Sequence, residues 1–540
     1  MSMPKHIQIF DTTLRDGTQG EKVSFSAEDK FRIAKRLDEF GIDYIEGGWP
    51  GSNPKDMAFF DKAKTHKFSH SKIVAFGSTC RYGNRPENDP NLQALIEAET
   101  PAVAIFGKSW LLHVTEALKI RPEENLELIA GSIRYLKSHN KEVIYDAEHF
   151  FDGYKDNPEY AIKALQTAEK AGADVLVLCD TNGGTLTHEI SEIISEVRKQ
   201  TSAPLGIHAH NDSELAVANA LAAVRGGAVH IQGTINGYGE RCGNTNLCSV
   251  IPNLQLKMNY YCVPDENLSQ LTTLSKFVSE LGNLIPDNKQ PYVGKSAFAH
   301  KGGIHVSAVM KNEQTYEHIR PEVVGNTRRV LVSDLSGKSN VSYKSEELGF
   351  NFDKYSDKSS EIVQELKKLE SEGYQFEAAE ASFELLVKQM TDSAPEFFKL
   401  EGFRVIIERN ANGESRSEAT IRVRVNDQIE LSAAEGKGPV HALDAALRRA
   451  ICEFYPEVSS IQLQDYKVRV LNEKDGTGAK VRVLIDSAKE GTSWGTVGVS
   501  ENIIDASFQA LSEGIIYFLM NQNSKPQNKA NIVEKQPITR

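Results

Sequence analysis

The sequence predicts an α/β protein: a (β/α)8 barrel, then a helical linker region, then a C-terminal α+β module of two βββα units. Three observations carry that expectation. Short β-branched runs alternate with amphipathic segments through the first half, as in a sheet with crossover helices. Those runs are near-continuously apolar, as strands buried on both faces must be. From about residue 396 the order strand, strand, strand, helix occurs twice. The length of 540 residues accommodates a barrel of about 250 and further units.

Strands are expected at 6–10, 42–47, 72–77, 102–106, 142–146, 174–179, 205–208 and 229–233. Segment 26–40 opens on Ser26 and Asp29, the pattern of a reciprocal helix cap, and stops at Gly41; segment 158–171 stops at Gly172. Eight such units favour a closed barrel, with a doubly wound sheet as the alternative that strand counting leaves open. The linker reads as helices at 267–281, 358–372 and 376–391. The first βββα copy places strands at 403–407, 419–425 and 428–433 before a helix at 440–453. The second places them at 461–470, 480–486 and 493–499 before a helix at 503–518, and each helix carries an Asp-Ala step, Asp444-Ala445 and Asp505-Ala506. The expected domains are therefore a catalytic barrel at 1–260, a linker covering the site at 261–395 and a regulatory module at 396–520. The tail at 521–540, rich in Asn, Gln, Lys and Pro, is expected to be disordered.

Sixty-two Lys and Arg against 74 Asp and Glu leave a net charge of −12 with both signs mixed, which offers no basic face and excludes nucleic acid as the expected partner. The six cysteines contain no Cys-x-x-Cys pair and read as reduced thiols. Met1-Ser2-Met3-Pro4-Lys5-His6 runs straight into the first strand without room for a signal peptide. Apolar stretches such as 515–520 fall short of the roughly twenty residues of a membrane span. A soluble, cytoplasmic protein with no membrane partner is expected.

In a barrel of this kind the chemistry sits where strands end. Asp11-Thr12-Thr13-Leu14-Arg15-Asp16-Gly17-Thr18-Gln19 closes strand one and Glu46 strand two; Asp146-Ala147-Glu148-His149 closes strand five and Asp180-Thr181-Asn182 strand six. His208-Ala209-His210-Asn211-Asp212 closes strand seven, and strand eight runs into Gly237-Tyr238-Gly239-Glu240-Arg241-Cys242-Gly243-Asn244. Alternate strand residues share a face, so His208 and His210 suit one divalent cation, although their spacing alone fits a structural pair as well. Asp16, next to strand eight and one step further from strand seven, adds a carboxylate, leaving open positions on Zn2+ or Mn2+; Asn244 offers an amide oxygen. Taken singly, Arg15 and Glu148 also fit ion pairs, Thr181 a helix cap, Asp152-Gly153 a turn, and His305, after a Gly302-Gly303 hinge, a structural histidine. The glycines after strand eight lack dinucleotide-loop spacing and read as a tight turn bringing backbone close to a ligand.

Together, the 11–19 motif, the His208-x-His210 step and Gly237-x-Gly-Glu-Arg-x-Gly-Asn244 resemble the 2-isopropylmalate/homocitrate synthase family of metal-dependent condensing barrels, over nearly the whole chain. Within it, Glu46-Gly-Gly-Trp-Pro-Gly-Ser-Asn-Pro54 and Asp146-Ala-Glu-His-Phe-Phe-Asp-Gly-Tyr154 resemble the branch that uses pyruvate. The resemblance implies an acyltransferase joining acetyl-CoA, pyruvate and water into (R)-citramalate and CoA, on the route to isoleucine; the alternative keto acid is 2-oxoisovalerate, on the route to leucine. It implies a divalent cation (Mn2+, Zn2+ or Mg2+) on Asp16, His208, His210 and Asn244. Arg15 would stabilise the growing alkoxide, Thr181 and Glu46 would serve the keto acid, and Glu148, His305 and Tyr316 would move the acetyl proton. The C-terminal module would form a homodimer that isoleucine inhibits. Trp49-Pro50 departs from the smaller residues of many relatives and is expected to narrow the keto-acid pocket, while Val306-Ser307-Ala308 replaces the acidic residue that often follows the linker histidine. Reverse-direction lyases resemble the barrel but lack the βββα pair. From another class, an amino-acid-binding regulator on a retired barrel conflicts with the intact polar set.

Overall fold

The computed structural model describes residues 5–333, 338–347, 358–391, 394–471, 473–490 and 492–522. Eight parallel strands, β1 (Gln8–Asp11), β2 (Tyr44–Gly48), β3 (Lys72–Ser78), β4 (Ala102–Lys108), β5 (Glu142–Glu148), β6 (Val175–Asp180), β7 (Leu205–Ala209) and β8 (His230–Gly233), pair in sequence order and close on themselves. Closure rests on β1 beside β8, Ile9 opposite Ile231, and removes the doubly wound alternative. Period two sorts the side chains: Phe10, Tyr44, Val74, Ile144 and Val177 fill the interior, while Ile9, Ile45, Ile73 and Leu176 face the surrounding helices.

Helix boundaries follow the cap chemistry. Ala27–Phe40 starts on the reciprocal Ser26–Asp29 cap and ends at Gly41 in the left-handed region at φ 98°; Pro158–Ala171 ends at Gly172 at φ 104°. Asp152-Gly153 is not a turn: it lies inside helix Phe150–Asp156, where a Cβ on Gly153 would come within 2.7 Å of the Ser109 carbonyl oxygen. Glycine is kept there for close packing and not for a positive φ.

The chain divides into two compact units. The first runs to Phe298 and includes Ile319–Arg328; the second comprises Ala299–His318 and the chain from Arg329. In the second, helices Gly303–Lys311, Ser359–Ser371 and Glu380–Met390 precede two three-stranded antiparallel sheets. One sheet is β9 (Lys399–Arg409), β10 (Ser415–Val425) and β11 (Gln428–Gly436), followed by helix Pro439–Cys452. The other is β12 (Gln462–Val470), β13 (Val481–Lys489) and β14 (Thr492–Ser500), followed by helix Ile503–Asn521. Ile421 and Val423 pack with Leu447 and Ile451, whereas Val497 and Val499 share a cluster with Leu366, Phe383 and Val387 of the preceding helices.

Helix Ile503–Asn521 has, at 19 residues, the length and apolar content of a membrane span. Its composition answers instead to the core: Ala506, Ala510, Ile515 and Leu519 are buried, and Phe518 stacks on Trp494 with ring centroids 5.8 Å apart. From residue 523 the expected tail lies outside the described residues.

Candidate active site

The loop after β1 is stitched to β8 by its own side chains. Thr13 donates its backbone N–H (3.0 Å) and hydroxyl (2.8 Å) to the Asp11 carboxylate and accepts from the Ile235 N–H (2.8 Å), while the Thr12 N–H donates to the Gly233 carbonyl (2.8 Å). Burial, with Glu46 nearby, pushes the Asp11 carboxyl up to about 7 despite the Thr13 bonds. This lattice fixes the turn that presents Arg15 and Asp16 at the C-terminal mouth.

His208 is the penultimate residue of β7, and His210, the first residue beyond the strand, forms a bridge with Asn244 in the loop after β8. The Nε2 atom of His208 lies 3.2 Å from Asp16 Oδ2 and 3.3 Å from His210 Nε2. One ligand atom from each of the three buried residues falls within 4.8 Å of the others, so the chain has a possible divalent-metal site. Burial alone would raise Asp16, but the Arg15 charge and the His208 hydrogen bond outweigh it and hold the carboxyl well below its usual range. Burial lowers His210 to about 4, with His208 adding to the shift. His208 shifts the other way: burial lowers it, but the hydrogen bond and charge of Asp16 outweigh burial and raise it, so a cation entering here would displace the proton that His208 shares with Asp16. Both amide atoms of Asn244, and Nδ1 of His210, are buried without a hydrogen-bond partner among the described residues. The loop carrying Asn244 is drawn tight: Gly243 sits at φ 90°, and a Cβ there would stand 2.0 Å from the Gly237 carbonyl oxygen.

Arg15 lies over the Phe76 ring, its guanidinium carbon 3.7 Å from the centroid; Nε donates to Glu46 Oε2 at 2.6 Å, and a terminal nitrogen stands 3.6 Å from Asp16. Glu46 is fully buried, and its contact is with Arg15; it does not line the adjoining cavity of about 250 Å3. Glu148, at the end of β5, pairs with Lys108 of β4 and not with an arginine. Thr181 does not cap the next helix, which begins at Thr187; its hydroxyl accepts from the His149 N–H at 2.9 Å, tying the ends of β5 and β6 together.

Trp49, which the sequence names as a wall of the keto-acid pocket, lines this cavity, but the side chains that hold it were not legible in sequence. Trp49 meets Phe76 and Phe106 edge-on, at 86° and 82°, and its indole N–H donates to Asn91 at 2.8 Å. Its backbone N–H donates to Asp56, which is held 2.5 Å from the buried Lys30 ammonium. Gln232 of β8 bridges inward, its amide N–H donating to Asp146 Oδ1 at 2.9 Å and its carbonyl oxygen 2.8 Å from His208 Nδ1. Burial and the nearby Glu46 push the Asp146 carboxyl up to about 7. A larger cavity, about 760 Å3, opens alongside; the two share Trp49 and Phe106, and Lys108 lines the larger one.

His305 and Tyr316 belong to the second unit, where their rings stack with centroids 4.1 Å apart at 25°. Gly302 is no hinge: it is the extended N-terminal cap of helix Gly303–Lys311, which places His305 in the first turn.

A closed parallel barrel whose mouth holds a carboxylate and two imidazoles beside a buried arginine defines a class of metal-dependent barrel proteins, and family comparison agrees. Residues 6–278 match the HMGL-like family, 292–374 the homocitrate synthase post-HMGL domain-like family, and 377–519 the LeuA allosteric (dimerisation) domain. The chain belongs to the HMGL-like family, in the branch that carries these two further domains. It is 59% identical to an (R)-citramalate synthase of Geobacter sulfurreducens, over 95% of this chain and 97% of that one, and 56% identical to another of Aquifex aeolicus, over 97% and 99%. A probable 2-isopropylmalate synthase of Methanopyrus kandleri is 32% identical, over 95% of this chain and 98% of that one.

Proposed function

We propose that the chain is an acyltransferase that condenses acetyl-CoA with pyruvate and water to give (R)-citramalate and CoA. The observation that carries this reading is the group of full-length (R)-citramalate synthase relatives at 45–59% identity, against 31–32% for the 2-isopropylmalate synthases. Asp16, His208 and His210, with Asn244, would hold the divalent cation; the imidazole donors suit Zn2+, and the carboxylate and amide oxygens suit Mn2+ or Mg2+. When bound, the cation supplies Lewis-acid polarisation of the keto-acid carbonyl.

The chain's own residues do the rest. Arg15, unable to lose its proton, stabilises the negative charge that grows on the carbonyl oxygen, and Glu46 holds the guanidinium in place. Thr181 hydrogen-bonds the keto-acid carboxylate. Glu148 takes the acetyl proton, with His305 and Tyr316 assigned to the same proton-handling set on their sequence context. The larger cavity beside the keto-acid site offers room for the thioester arm of the co-substrate. Residues 396–520 pair two protomers and bind isoleucine as feedback inhibitor, a reading supported by the allosteric domain match.

The test is CoA release by metal-loaded protein given acetyl-CoA with pyruvate, 2-oxobutanoate or 2-oxoisovalerate. Preference for pyruvate, and inhibition by isoleucine, is expected. Preference for 2-oxoisovalerate would move the enzyme to leucine synthesis, and no release with any acceptor would discard condensation altogether.

A further inference from the structure

Of the two histidines of the candidate metal site, His208 has its second ring nitrogen engaged while His210 Nδ1 has no partner among the described residues, and the partner of His208 is itself constrained. Gln232 presents its carbonyl oxygen 2.8 Å from His208 Nδ1. A side-chain amide can rotate by half a turn and exchange its oxygen for its NH2 group, which would put a donor against Nδ1 and drive the ring proton to Nε2. The other end of the amide prevents this: its NH2 group donates to Asp146 Oδ1 at 2.9 Å, an acceptor whether or not that carboxyl carries a proton on its other oxygen. All three side chains are buried, so no solvent substitutes for a lost partner.

We infer that Asp146 and Gln232 are positioning residues that set the tautomer of His208: Asp146 fixes the amide of Gln232, whose oxygen holds a proton on Nδ1, so that Nε2 is the nitrogen that gives up its proton to a cation shared with Asp16 and His210. The inference rests on the reading of Asp16, His208 and His210 as cation ligands. Neither residue belongs to the three-group cluster that would hold the cation. Each acts through the next, and the chain of contacts crosses from β5 through β8 to β7. Outer partners of this kind typically tune metal affinity by about 10- to 100-fold.

The experiment is titration of the metal-free full-length protein with Mn2+, reading free Mn2+ by electron paramagnetic resonance, with melting temperature measured for every variant. Wild type is expected to bind and Asp16→Asn to lose binding. Gln232→Met, close in volume but without the acceptor, is expected to bind about 10- to 100-fold more weakly. Asp146→Leu, which frees the amide to turn, is expected to weaken binding, whereas Asp146→Asn, which keeps an acceptor oxygen, stays within about threefold of wild type. If wild type binds no Mn2+, or Asp16→Asn binds as well as wild type, the metal-site reading fails. If that pair behaves as expected but folded Gln232→Met matches wild type, the positioning inference fails alone. Asp146→Asn as weak as Asp146→Leu would remove Asp146 from it. Should the Gln232 variant not fold, 15N-histidine spectra of Zn2+-loaded wild type decide: a proton on His208 Nδ1 is expected, and one on Nε2 overturns the inference.

Discussion

Arg15 is held by a carboxylate on one side and an aromatic face on the other, and in the proposed reaction that immobility would matter, because a charge already in place costs no reorganisation. Arg15→Lys keeps the charge but loses the fork that reaches Glu46, so kcat is expected to fall on the order of 100-fold in the CoA-release assay. A rate within twofold of wild type would remove Arg15 from the transition state. Trp49 is fixed as firmly, by Asn91, Phe76 and Phe106. Trp49→Ala should let 2-oxoisovalerate compete with pyruvate, because each methylene a pocket excludes is worth about 1–3 kcal/mol. An unchanged preference in paired kcat/KM measurements would assign the selection to other walls.

Among the secondary-structure elements, helix Ile503–Asn521 carries the most informative conflict. Its apolar residues serve the core, yet the half-buried Glu513 sits on it, accepting from the Ser382 hydroxyl of helix Glu380–Met390, while the Ser382 oxygen accepts from the Val497 N–H at 2.9 Å. Burial raises the Glu513 carboxyl from 4.5 to about 7, and the Ser382 bond offsets only part of the shift. Between those values the folded chain retains a proton that the unfolded chain has released. Glu513 therefore contributes stability fully below about 4.5, and that contribution is lost as pH rises through about 7. Glu513→Gln, which keeps an acceptor for Ser382, should raise the melting temperature at pH 8 relative to wild type and leave it nearly unchanged at pH 4.5. Equal shifts at both values would show that ionisation is not the cause.

For the whole molecule, the outer surface of the first C-terminal sheet is where the proposed pairing of protomers can be tested. Directly paired residues of neighbouring antiparallel strands share a face, so Ile429 and Leu431, opposite Arg424 and Arg422, project away from the inner row of Ile421 and Val423 that packs with Leu447 and Ile451. They are 51% and 59% exposed. If this face pairs protomers, Ile429→Glu with Leu431→Glu should shift light-scattering mass from about two chains to one. An unchanged dimer would place the interface elsewhere.

Much of this was legible in the sequence, because period-two apolar runs, cap residues and strand-end polar clusters are local signals. The eight strand positions, the caps at Ser26, Gly41 and Gly172, both βββα repeats and the convergence of Asp16, His208 and His210 follow from residue type and order once the barrel closes. Only the tertiary structure decided which polar groups meet. Arg15 finds Glu46 across 31 residues of chain, Lys108 finds Glu148 across 40, and Gln232 finds Asp146 across 86. Such partners are selected by strand order and register around the barrel, and in a buried mouth each carboxylate or amide takes the nearest group that satisfies it. Sequence supplied the kinds of atoms at the site; folding chose their neighbours.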